Sequence, residues 1–325
     1  MDSSLFYSPF SEEINPTVRG LVEYHFGWRD AAGRPNSAGS GKAVRAALAV
    51  LVCQAVGGHA RRAVEAAVAV ELVHNASLIH DDIIDGDALR RHWPTLWSVF
   101  GIPAAILAGD ALFFLANQVL AQAPAPVGGM GVVWLNEAGQ QLVAGEYADS
   151  TLPEHPEVSV AEAVATATAK TGALIAVACA LGVLAGGADP TRAGQLRVVG
   201  QHLGLAFQLV DDVLGIWGPA GRTGKPECSD LRSRKRSLPV VAALTAHCPA
   251  ARELGRLYQR AAPLDKEELH RAAALIDEAG GRAWAHQQAE QHLTAALTLL
   301  HGDGLTPAAV TKLSTLAQFI THRDH

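Results

Sequence analysis

With 325 residues, 49% hydrophobic and 18% charged, the chain can hold one large domain or two ordinary ones and bury a substantial core. A net charge of −6 excludes the basic field that recruits nucleic acid, and 6% aromatic content argues against base-stacking platforms. The four cysteines (Cys53, Cys179, Cys228, Cys248) form no CxxC pair. That excludes a zinc ribbon or a disulfide scaffold and fits a cytoplasmic setting.

In chain order the N-terminal "MDSSLFYSPFSEE" is acidic and is not expected to be a secretory signal. Apolar periodicity then predicts helices over 16–29, 42–56, 60–86, 103–122, 132–150, 160–185 and 192–215. A second group is predicted over 238–245, 250–261, 266–279, 281–300 and 307–321. Gly- and Pro-rich breaks such as "AQAPAPVGGMG" separate them, and strand signals are nearly absent. An all-α, single-domain bundle is the simplest reading. The uncharged run over 171–188 is rich in Ala and Gly and reads as a buried central helix, not a transmembrane span.

The helix over 60–86 ends in "DDIID". At about 100° per residue, Asp81 and Asp85 share a face with His74, and Asp82 lies one step round. A helix C-terminus is the negative end of the macrodipole, so clustered aspartates there call for a cation. The alternatives are a solvated charged end or a hard ion such as magnesium held by carboxylate oxygens. The helix over 192–215 repeats the pattern: "GLAFQLVDDVLG" carries Asp211 and Asp212 behind Gln208. Two apolar helices, each ending in an Asp-Asp pair, read as two walls of one metal-binding cavity.

Basic residues accompany both pairs. "GSGKAVR" sets Lys42 and Arg45 at a helix start, where free backbone N–H groups favour anions. Arg90 and Arg91 follow the first pair, Lys170 precedes Thr171, and Lys225 and Lys235 lie in the loop after the second pair. Carboxylates for magnesium beside cations for phosphate oxygens describe a diphosphate site. Neither "SGKA" nor "TGKP" has the spacing of a nucleotide-hydrolysing Walker loop.

In this order the motifs resemble the trans-isoprenyl diphosphate synthases (polyprenyl synthetases), from about Gly41 to the C-terminus. The resemblance implies an isoprenoid synthase helical bundle around a deep central cavity, a magnesium requirement and a homodimer. By it, Asp81, Asp82 and Asp85 bind magnesium around the allylic diphosphate, with Asp211 and Asp212 on the second motif. Arg90 contacts the allylic diphosphate. Lys42, Arg45, His74 and Arg91 grip isopentenyl diphosphate. Lys170 and Thr171 stabilise the departing diphosphate and the nearby cation. Phe207, Gln208, Lys225 and Lys235 match further family positions. "DDVLG" departs from the pattern at Gly215, where many members have a third aspartate. "GKPECSD" departs at Glu227 and Cys228, and "GEYADS" has Glu146 where Gln is common.

The activity implied is condensation of isopentenyl diphosphate with dimethylallyl, geranyl or farnesyl diphosphate to a linear all-trans product in isoprenoid biosynthesis. Ala76 and Ser77, five and four residues before Asp81, would by the resemblance form the pocket floor. Both are small, so geranylgeranyl diphosphate is the expected product, with Phe113 and Phe114 expected to block a deeper level. A longer-chain synthase is the alternative, and a class I terpene cyclase on the same fold is the rival. The chain lacks the spacing of the cyclase's second motif around Asn117 and Asn136.

Overall fold

The Ala- and Leu-rich periodic runs form the expected helices, and the computed structural model describes residues 12–36, 41, 43–152, 157–219, 227–260, 262–302 and 304–321. The N-terminal helices are α1 (Pro16–His25), α2 (Val44–Ala55) and α3 (Val64–Ile84), the last preceded by a 3₁₀ turn at Ala60–Ala63. α4 (Leu96–Phe100), α5 (Ile102–Ala121) and α6 (Val132–Thr151) follow, then α7 (Val160–Ala167), α8 (Ala173–Gly186) and α9 (Pro190–Trp217). The C-terminal set is α10 (Ser229–Arg232), α11 (Leu238–Leu244), α12 (Pro249–Gln259), α13 (Lys266–Glu278), α14 (Gly281–Leu300) and α15 (Pro307–Thr321). The protein is all-α. Its one sheet among the described residues is a short hairpin, β1 (Leu89–Arg90) with β2 (Trp93–Pro94). Two expected site residues, Lys42 and Lys225, lie outside the described residues.

Local chemistry sets the boundaries. α3 stops where Gly86 adopts a left-handed backbone (φ 69°), a conformation that costs glycine nothing. α7 begins with a reciprocal capping box between Ser159 and Glu162, and α13 with one between Asp265 and Glu268. The expected helix over 160–185 is interrupted by a π-helical turn at Thr168–Gly172, which carries Lys170 and Thr171. Such turns recur at functional positions.

The chain forms two compact units. The first comprises Met1–Gln140, Leu174–Gly200 and His301–Leu313, and the second Gln141–Ala173, Gln201–Leu300 and Ser314–His325. In the first, Leu48, Ile79, Leu112, Leu120, Leu181 and Leu184 are fully buried. In the second, Leu205, Leu209, Val213, Leu238, Val241 and Ala285 share one apolar cluster. Truncating such a leucine to alanine costs about 2–5 kcal/mol.

Among the described residues, Ile102–Ala121 and Val160–Gly186 are long and apolar enough to cross a membrane. The second contains most of the uncharged run, which lies mostly buried within the protein, as the sequence predicts for a core helix.

Candidate active site

In the first unit the carboxylates at the end of α3 are held by one arginine. Arg90 Nε donates to Asp82 Oδ1 at 2.7 Å and Arg90 Nη2 to Asp81 Oδ2 at 2.9 Å. Asp82 is only 2% exposed, and burial pushes its carboxyl up to about 6 even with Arg90 beside it. Asp85 caps the helix and is exposed. The last turn of α3 carries no basic residue, so the macrodipole is offset from outside the helix.

Arg90 and Arg91 diverge because of the turn between them. β1 and β2 pair Arg90 with Trp93, which leaves Arg91 (φ 53°) and His92 (φ 65°) as two left-handed turn residues. This is the primed hairpin geometry, and it strains residues other than glycine by about 1–2 kcal/mol each. The hairpin is anchored by hydrogen bonds from Tyr24 Oη to Pro94 O (2.9 Å), Thr95 Oγ1 to Asp87 O (2.8 Å) and Trp97 Nε1 to Asp87 O (2.9 Å). Arg90 turns to the carboxylates, whereas the Arg91 guanidinium packs on Gly41, where any Cβ would collide with it. A cavity of about 130 Å³ lies behind the pair, lined among others by Tyr24, His25, Asn75 and Trp93.

His74 sits in a cationic neighbourhood. Burial lowers its pKa well below the ordinary 6.5, and the charges of Arg45, Arg91 and Arg90 lower it further, so the imidazole is neutral at physiological pH. His25, bonded through Nε2 to Asn75 Oδ1 at 3.0 Å, is lowered to about 4, mainly by burial. The start of α2 does not offer the free N–H groups expected from the sequence. The carboxylate of Glu71 occupies it, accepting from Ala46 N at 3.0 Å and from the Arg45 backbone.

In the second unit the π-turn presents Lys170 and Thr171 to different partners. Lys170 Nζ pairs with Asp149 Oδ2 (2.8 Å) and Glu146 Oε2 (2.9 Å), and Lys235 Nζ reaches the same Asp149 oxygen at 3.3 Å. Burial raises the Asp149 pKa, but the two lysines overcome this and hold the carboxyl below its ordinary value. Thr171 Oγ1 donates to Gln208 Oε1 at 2.6 Å, and Gln208 Nε2 donates to Asp212 Oδ1 at 2.7 Å. Asp212 Oδ2 accepts from Leu238 N at 2.9 Å, capping α11 in place of the Ser237 side chain. Close approach of α9 to the π-turn needs glycine on both sides, since a Cβ at Gly204 would lie 2.6 Å from Gly172 Cα. Phe207 is half-buried and Asp211 is exposed. Beside Gly215 stands the carboxylate of Asp230, which occupies the space a side chain there would need.

The metal reading therefore divides each pair. Asp82 and Asp212 are buried, Asp82 with Oδ1 on Arg90 and Asp212 with both oxygens hydrogen-bonded inside the protein. Asp81, Asp85 and Asp211 are the more open members, with Asp81 Oδ2 also bonded to Arg90. A donor set of carboxylates alone, at the negative pole of a helix, fits a hard divalent ion such as magnesium. Among the described residues no three His, Cys, Asp or Glu side chains converge as a protein-only metal cage. Magnesium ordinarily takes one or two carboxylates with substrate phosphates and water.

Of the residues expected to set product length, Ala76 is fully buried, and Ser77 donates from Oγ to His74 O at 2.8 Å. Phe113 lies 5.8 Å from the His80 ring, between centroids. Phe114 is 77% exposed and blocks nothing inside this chain, which overturns its expected role. Sequence reasoning missed Glu71, Asn75, Asp149 and Asp230. A lone carboxylate inside the apolar run "VAVELVHNA" is the signal that could have found Glu71.

The polyprenyl synthetase family model matches residues 28–276. The chain is 40% identical over 317 residues to the (2E,6E)-farnesyl diphosphate synthase of Mycobacterium tuberculosis (97% of this chain, 88% of the relative). It is 41% identical over 316 residues to the geranylgeranyl diphosphate synthase of the same organism (96% and 89%). The polyprenyl synthetase of Streptomyces coelicolor A3(2) superposes with a TM-score of 0.91 at 43% identity, covering 98% of this chain and 97% of that one. With motif order, fold and relatives in agreement, this chain belongs to the polyprenyl synthetase family of isoprenyl diphosphate synthases.

Proposed function

We propose that this chain condenses isopentenyl diphosphate with an allylic diphosphate and that its main product is geranylgeranyl diphosphate. The observation that carries this reading is the divergence of Arg90 and Arg91: one guanidinium serves the Asp81–Asp82 carboxylates, the other the Gly41 backbone and the His74 neighbourhood. Two separate cationic grips suit two diphosphate substrates, and a cyclase has use for only one.

In this reading Arg45, His74 and Arg91, with Lys42, hold isopentenyl diphosphate, and Arg90 turns toward the allylic diphosphate. Asp81, Asp85 and Asp211 hold magnesium, which when bound supplies positive charge to the leaving diphosphate oxygens. Asp82 and Asp212 act behind them by fixing Arg90 and Gln208. As the allylic C–O bond breaks, Lys170, Lys225 and Lys235 stabilise the departing charge, and the Thr171 and Gln208 dipoles face the allylic cation. The isopentenyl double bond attacks that cation, and the released diphosphate accepts the proton whose loss restores the alkene. Fixing both substrates supplies much of the acceleration.

Ala76 and Ser77 form the floor against which chain growth stops. The relatives include both a farnesyl and a geranylgeranyl diphosphate synthase, and the small residues here support the reading of the longer product. We further propose one catalytic domain working in the cytoplasm as a homodimer. Exposed Ile102, Ile106, Leu107 and Phe114 on α5 give an apolar stripe suited to a second copy, and all four cysteines are free. Incubation with isopentenyl diphosphate and each allylic primer, followed by product chromatography, tests this. Geranylgeranyl diphosphate is expected from the parent and a shorter product from Ala76→Phe. An unchanged product from that variant overturns the floor assignment, and a cyclised hydrocarbon made without isopentenyl diphosphate overturns the activity.

A further inference from the structure

α2 begins without a cap of its own. Ala43, at its N-cap, has a left-handed backbone (φ 45°) and no side-chain acceptor, and the first turn contains no acidic residue. An N-cap oxygen normally accepts from the second or third backbone N–H of a helix, and here those belong to Arg45 and Ala46. Both go instead to Glu71, halfway along α3 and 25 residues away in sequence. Glu71 is 4% exposed, one of few charged side chains buried in this protein.

A buried carboxylate needs compensation. Burial raises the Glu71 pKa, while the Arg45 charge, the two backbone N–H groups and Arg91 pull it back. The same two arginines depress the pKa of His74, three residues further along α3. Glu71 thus ties the backbone carrying Arg45 to the helix carrying His74. Asn75, one residue beyond His74, bonds to the Glu71 carbonyl at 2.8 Å and to His25, bracing the same turn.

We propose that Glu71 is the positioning residue of the isopentenyl diphosphate grip. It holds Arg45 in register with His74 by serving as the missing N-cap of α2, and it does not touch substrate. This rests on the assignment of Arg45 and Arg91 to isopentenyl diphosphate. Glu71→Gln keeps the shape but turns one of the two acceptor oxygens into an N–H donor.

The test compares wild type, Glu71→Gln and Arg45→Ala by steady-state kinetics, varying isopentenyl diphosphate and farnesyl diphosphate separately, with thermal melts of each. Expected is a rise of about tenfold in KM for isopentenyl diphosphate in Glu71→Gln, the size of a lost helix cap, with KM for farnesyl diphosphate within about twofold. Arg45→Ala should show the same selectivity more strongly. A folded Glu71→Gln with unchanged constants, or with both KM values raised alike, overturns the proposal. So does a Glu71→Gln that fails to fold, which assigns the residue to stability alone. If Arg45→Ala itself shows no selectivity, the substrate assignment has failed instead.

Discussion

The two acidic helix ends solve one problem by different means. At the end of α3 a full charge compensates the carboxylates: Arg90 forks across Asp81 and Asp82. In α9 the direct hydrogen bonds come from neutral groups, Gln208 and the Leu238 backbone N–H on the two oxygens of Asp212, and the Lys235 charge acts on it as well. In both pairs the second aspartate is buried and the first is more open, since neighbours on a helix lie about 100° apart and only one can face the core. Each Asp-Asp pair therefore turns one carboxylate outward and packs the other inward.

The largest expected effect should strike both ends alike. Asp81→Ala and Asp211→Ala should each lower kcat by at least about 10²–10³-fold, as removal of a charge-stabilising group does, and excess chelator should abolish turnover. Steady-state assays with and without added magnesium check this. The next effect should separate the ends. Arg90→Ala leaves a buried carboxylate without its charged partner and should destabilise the protein by about 2–3 kcal/mol in chemical denaturation. Gln208→Leu removes a neutral partner from Asp212 and from Thr171, leaves the Leu238 N–H bond in place, and should cost about 1–2 kcal/mol, while also slowing catalysis through Thr171.

The smallest effect is a pH slope from Asp212. Its carboxyl is raised from 3.8 to about 7, burial being the main cause. A carboxyl raised in the folded state binds more protons folded than unfolded between those values. Its contribution to stability is therefore present at low pH and declines as pH rises from about 4 to about 7. In metal-free protein, melts across that range should show this decline, and Asp212→Asn should flatten it. A slope unchanged in Asp212→Asn would deny the raised pKa.

Helices α14 and α15 were legible to the residue, because they begin at Gly or Pro and carry clear apolar periodicity, whereas the short α4 and α10 were not foreseen. Arg90 and Arg91 were found as a pair, but their divergence was not. It depends on a primed turn built from Arg and His, where sequence rules look for Asn and Gly. Nor could periodicity show that Thr168–Gly172 winds as a π-turn, against which α6 packs at Gly145 and α9 at Gly204. Glu71 and Asp149 escaped because each acts on residues more than twenty positions away, Ala46 and Lys170 respectively. Local pattern finds the groups that touch substrate more readily than those that hold them.

The central claim is that two neighbouring arginines serve two different diphosphates, and Arg91→Ala tests it most directly. With labelled isopentenyl diphosphate and farnesyl diphosphate varied in turn, the account predicts a large rise in KM for the isopentenyl substrate and little change for the allylic one. Equal changes in both, or label-free product from the allylic substrate alone, would contradict it.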